Sequence, residues 1–121
     1  VGVVPVTADS LTYRANSTAR YVWVADDPNL LFEVQEDSDG GALAATAAGG
    51  TATLIGFTSG STTTGLSAIE IDSSGLSETS DTDDDVRIIA LVQRPDNEVG
   101  NFARWLVRLN VHQYVNAAVG V

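Results

Sequence analysis

The densest set of cation-capable side chains in this 121-residue chain is Asp81, Asp83, Asp84 and Asp85. Asp81, Asp83 and Asp85 have the one-three-five spacing with which a calcium loop directs alternate carboxylates at one ion. The match ends there, because that loop needs glycine at position six and a bidentate glutamate at position twelve, and Val86 and Val92 stand at those places. A weak surface cation site is the lesser reading. A solvated acidic turn that keeps charge beside the apolar run 88–92 is the favoured one, so no metal and no cofactor is expected and folding should need neither.

His112 is the single histidine and there is no cysteine, which rules out a histidine cluster or a thiolate site built from this chain alone. A serine nucleophile would depend on that one imidazole, and no Gly-x-Ser-x-Gly elbow is present. The hydroxyl run Ser61-Thr62-Thr63-Thr64-Gly65 lacks the glycine spacing and lysine of a phosphate loop. The carboxylates fall in turns or on polar strand faces and not in apolar pockets that would raise their pKa values. The expectation is a protein without catalytic residues, with His112 a strand-end residue bonded to backbone. Trp23 and Trp105 are expected in the core. Exposed aromatics would instead make a sugar platform, which keeps a glycan-binding or adhesive module as the alternative.

Behind these residues the pattern is that of strands. Residues 20–37 read as a hairpin: Tyr21, Trp23 and Ala25 alternate with Val22 and Val24, and Phe32 and Val34 alternate with Glu33 and Gln35. Asp26-Asp27-Pro28-Asn29 supplies the turn, with proline preset for its second position and asparagine tolerated at its third. Residues 51–58 read as one strand with Gly56 at a bulge or close approach, and residues 66–72 place Ile69 and Ile71 on one face. A second strand-turn-strand unit joins residues 85–92 to 102–112 through Arg94-Pro95-Asp96-Asn97 and Gly100. In its return arm Ala103, Trp105, Val107, Leu109 and Val111 share one face while Arg104, Leu106, Arg108, Asn110 and His112 share the other. Residues 11–14 suggest a further short strand, residues 42–48 a loop with one helical turn, and residues 59–65 and 73–82 loops. The fold class expected is all-β: one antiparallel β-sandwich or β-barrel domain over residues 1–121, jelly-roll-like in one version, with long Gly/Ser/Thr loops, an extended arm at 1–7 and an apolar tail at 115–121.

Sixteen acidic residues against six arginines, with no lysine, give a formal charge of −10. Such a chain repels phosphate backbones and anionic membrane surfaces, so neither nucleic acid nor membrane is an expected partner. No apolar run approaches the ~20 residues of a membrane span. The start lacks a basic n-region and an initiator methionine, so Val1 is expected to follow a segment removed or not shown.

Taken in order, Asp26-Asp27-Pro28-Asn29 with Phe32-Glu33-Val34-Gln35, Ser61 to Gly65, Arg94-Pro95-Asp96-Asn97 and Leu106 to Tyr114 resemble a family of capsid decoration, or cement, proteins of tailed bacteriophages. The resemblance spans most of residues 22–114. The family's last strand ends in Asn-Glu-His-Gln, where this chain has Asn110-Val111-His112-Gln113 and continues to Val121. The resemblance implies a non-enzymatic β protein on the exterior of the virion capsid, assembled in the host cytoplasm. Its partners would be the major capsid protein and two further copies of itself in a homotrimer. The contacts expected on that reading are Val1, Val3, Val4, Val6, Arg104, Leu106, Arg108, Tyr114, Val115 and Val119.

Overall fold

A computed structural model of the chain describes residues 17, 19, 21, 23–75, 84–112 and 114. The fold is all-β, built of antiparallel sheets. Its strands are β1 (Leu31–Gln35), β2 (Thr51–Ala52), β3 (Leu54–Ile55), β4 (Glu70–Ile71), β5 (Val86–Leu91) and β6 (Arg104–Leu109). A four-stranded sheet runs β1-β6-β5-β2 and a two-stranded one pairs β3 with β4.

The two sheets join into one circuit. Residues 51–55 leave β5 after Ala52 and take up β4 from Leu54, and β4 returns to the end of β1 through a parallel bridge between Glu36 and Ile71. The Asp37 N–H donates to the Ile71 carbonyl at 3.0 Å and completes the closure. Inside lies one apolar cluster of Leu43, Ala47, Ala52, Ile71, Val86, Ile88, Ala103, Trp105 and Val107, flanked by Phe32, Val34, Leu54, Leu91 and Leu109. Trp105 is its largest member and is fully buried.

The second strand-turn-strand unit forms, but its return strand ends at Leu109 and the expected alternation stops there: Asn110 is buried, held by the Asp84 and Asp85 carbonyls, and Val111 is exposed. Trp105 and Val107 turn inward while Arg104, Leu106 and Arg108 turn outward. Its connection is clamped by one side chain: Asn97 Nδ2 donates to the carbonyls of Val92 and Arg104, and Asn97 Oδ1 accepts from the Arg104 N–H. Gly56 lies at φ +81°, and a Cβ there would stand 2.0 Å from the Ala68 carbonyl oxygen, so the close approach read from the sequence is real. Residues 42–48 contain a single 3₁₀ turn, Ala45–Ala47.

Other expectations fail. Residues 20–37 are not a hairpin: the Asp27-to-Leu30 turn forms, with Asp27 Oδ1 accepting from the Asn29 N–H at 2.8 Å, but the described residues before it are not strand. β1 pairs instead with β6, Phe32 opposite Val107 and Val34 opposite Trp105, because that partner covers the tryptophan. Trp23 is accordingly 89% exposed and lies outside the core. Residues 51–58 are not one strand but two short ones divided at Thr53, where the Leu54 N–H is captured by Asp85 Oδ2 at 2.8 Å. In residues 66–72 only Glu70–Ile71 is strand, so Ile71 is buried while Ile69 is exposed. The arm at 1–7, the strand expected at 11–14 and the tail at 115–121 lie outside the described residues.

Candidate interaction face

The sequence-predicted contacts divide in three. Val1, Val3, Val4, Val6, Val115 and Val119 lie outside the described residues. Tyr114 is exposed and stacks obliquely on His112, whose Nδ1 accepts from the Tyr114 N–H at 3.2 Å. Arg104, Leu106 and Arg108 come together on the outer side of β6, and the sheet register determines their neighbours.

Across the sheet, Leu31 of β1 stands opposite Arg108 of β6, which stands opposite Arg87 of β5. The next row sets Glu33 opposite Leu106. There β5 bulges: Ile88 faces Val107 and Leu91 faces Trp105, so Ile89 and Ala90 together oppose Leu106 on the outer side. Leu31 and Ile89 are exposed and Leu106 is half-buried. The result is an apolar patch beside a pair of arginines, with Leu31 at the end of the arginine row and Leu106 and Ile89 in the next.

Four of the six arginines stand on this face or its rim, and they are not equivalent. Arg94 and Arg104 share Glu33, the Arg104 Nη1 lying 3.2 Å from Glu33 Oε1. Arg104 was expected to reach a partner; Glu33 holds it, so its charge is already answered within the molecule. Arg87 and Arg108 face each other in register and make no ion pair among the described residues. Like charges directly opposite on a sheet repel.

Three other groups were misread or missed. Asp84 and Asp85 are not a solvated turn: Asp84 accepts from the Thr51 and Thr53 hydroxyls, Asp85 from the Leu54 N–H, and both carbonyls hold Asn110. Asp81 and Asp83 lie outside the described residues. Asp37, Asp39 and Asp72 each bring a carboxylate oxygen within 4.8 Å of the others, yet Asp37 Oδ1 accepts from the Ser73 N–H and Asp72 Oδ1 from the Ser74 N–H and hydroxyl. They staple residues 37–40 to the Ser73–Gly75 turn, where Gly40 has no room for a Cβ against Ser74. Burial alone would raise the Asp37 carboxyl, but hydrogen bonds from Ser73 and Asp39 outweigh it and hold the group below its usual range.

Glu36 contradicts the expectation that no carboxylate sits in an apolar pocket. It is wholly buried, Oε2 accepting from the Trp105 indole N–H at 3.3 Å and the Leu43 N–H at 3.1 Å, with Oε1 unpartnered. Burial pushes its pKa up, against the pull of those donors. The sequence carried a signal for it: Phe32 and Val34 point inward, and the same period of two takes Glu36 inward.

Comparison with models of known protein families, with curated proteins and with solved structures returns no match. No helix of the described residues is long and apolar enough to cross a membrane. The face itself offers apolar area bounded by fixed positive charge, the chemistry of an adhesive contact.

Proposed function

We propose that the protein is a non-enzymatic capsid decoration protein, binding the outer surface of a tailed-phage shell and stabilising it, as a trimer. The observation that carries this reading is the outer face of β1, β6 and β5, where Leu31, Leu106 and Ile89 accompany arginines in a molecule of charge −10. Acidity elsewhere suits a protein turned to solvent and away from packaged nucleic acid. Trimerisation triples the charge, which apolar contacts must offset, while several simultaneous shell contacts turn weak binding into avidity. Two further observations agree with a role without catalysis: the Glu36 carboxyl is closed to solvent, and His112 Nδ1 is engaged by backbone.

The test is cosedimentation with undecorated shells at low and high salt, with solution mass measured alongside. A trimer that cosediments and raises the melting temperature of the shell is the expected result. A monomer that never cosediments overturns the reading.

One observation favours the second reading, a glycan-binding module. Trp23 and Tyr21 are 89% and 64% exposed, and exposed aromatic faces stack on sugar rings. Saturable quenching of Trp23 fluorescence by an oligosaccharide, by a protein without shell affinity, would establish it.

A further inference from the structure

We propose that the Arg87–Arg108 pair is a receptor for carboxylates on an acidic protein surface, with Leu31, Leu106 and Ile89 taking that partner's apolar side chains; the inference rests on the decoration reading and names the chemistry of its contact.

No ion pair among the described residues relieves the repulsion between these two arginines. Arg87 and Arg108 are half-buried and directly opposed, an arrangement that costs stability. The chain has sixteen carboxylates with which to neutralise them. Among the described residues two of them, Glu33 and Asp96, pair with the neighbouring arginines Arg94 and Arg104, and none pairs with Arg87 or Arg108. Charge neutralisation is therefore at hand one row away and does not reach the pair. Two adjacent guanidinium forks suit a carboxylate bound from both sides, or two carboxylates bound side by side.

A phosphate would satisfy the same forks, but the surroundings favour protein. The patch of Leu31, Leu106 and Ile89 gains from apolar cover, which a sugar-phosphate backbone does not provide. A duplex would also meet the acidic remainder of the molecule. An extended segment alternating apolar and acidic side chains matches both the apolar patch and the arginine pair.

The direct experiment follows the arginine Nε–Hε signals by NMR while three probes are added: a peptide alternating leucine and glutamate, the same peptide with glutamine, and a short DNA duplex. The expected result is a saturable shift of Arg87 and Arg108 with the acidic peptide, small changes at Arg94 and Arg104, and affinity about tenfold weaker in R87Q/R108Q, each charged hydrogen bond being lost from the complex. Equal shifts with the glutamine peptide, tighter binding of DNA, or no shift with any probe would each overturn the proposal. So would concentration-dependent shifts of the same signals without probe, which would give the face to a second copy. A folding measurement gives an independent check: R87Q and R108Q should each raise the melting temperature at low salt, and a fall in both would mean that the arginines serve the fold itself. Cosedimentation separates this inference from the reading beneath it. A wild type that binds the acidic peptide but not shells removes the decoration role and leaves the carboxylate receptor standing; shell binding unaffected in R87Q/R108Q overturns the receptor and leaves decoration standing.

Discussion

At Glu36, burial and hydrogen bonding act in opposite directions on one carboxyl, and burial wins. Its folded-state pKa lies above its ordinary value near 4.5, so the neutral acid is the form the fold prefers. Below that value Glu36 costs nothing through ionisation; as pH rises through the folded pKa the unfolded state has already gained its charge and stability is lost. Asp37 has the reverse sign, stabilising above its usual range and ceasing to do so as pH falls through its depressed pKa. Comparing Glu36→Gln with wild type isolates the first effect: the melting temperature of the variant relative to wild type should climb from pH 4.5 towards neutrality, and a difference independent of pH would refute it. Fluorescence distinguishes the two tryptophans. Iodide should quench Trp23, exposed at 89%, and leave Trp105, exposed at 1%, nearly untouched in Trp23→Phe. That exposure was not legible beforehand, because the alternation of residues 21–25 is as good in sequence as that of β1, and what differs is that no strand among the described residues pairs with it. Glu36 was legible, since the period ran through it, but a charged residue at the end of an inward series reads as the end of the strand.

Among the elements, β6 was readable because its alternation is sustained over six residues, and β5 as an apolar run joined to it through the turn residues Arg94-Pro95-Asp96-Asn97 and Gly100. Arg104, Leu106 and Arg108 were placed on one outer face from that pattern alone. The twin role of Arg87 was not readable, because it depends on which residue of β6 stands opposite and on a bulge at Ile89 that no residue type announces. Division of residues 51–55 between two partners was likewise hidden, being set by Asp85 and Ile71 from distant segments. Two substitutions test the joints. Asn97→Ala removes three hydrogen bonds from the β5–β6 connection and should lower unfolding free energy by about 2 kcal/mol or more in urea melts, at roughly 1 kcal/mol per net bond. Gly56→Ala, at positive φ with a backbone oxygen in the way, should cost more than about 1 kcal/mol. An unchanged urea midpoint in either variant would show that the joint flexes freely.

For the whole molecule, the net charge of −10 sets a self-repulsion that salt relieves. The Debye length falls from about 30 Å at 0.01 M to about 8 Å at 0.15 M, so the melting temperature should rise over that interval; a fall would mean that favourable ion pairs dominate. All-β architecture was readable as a class from β-branched alternation and interspersed turns, whereas the circuit of strands was not, since its closing bridge joins Glu36 to Ile71 with no local cue. That closure also dictates an order of events. β1, the first strand among the described residues, has as its ladder partner β6, the last of them. Until β6 is in place, Phe32 and Val34 lack the strand residues that stand opposite them, Val107 and Trp105. The local β5–β6 hairpin is then the natural nucleus, with β1 docking late: substitutions at Val107 should slow refolding, and substitutions at Phe32 should instead hasten unfolding.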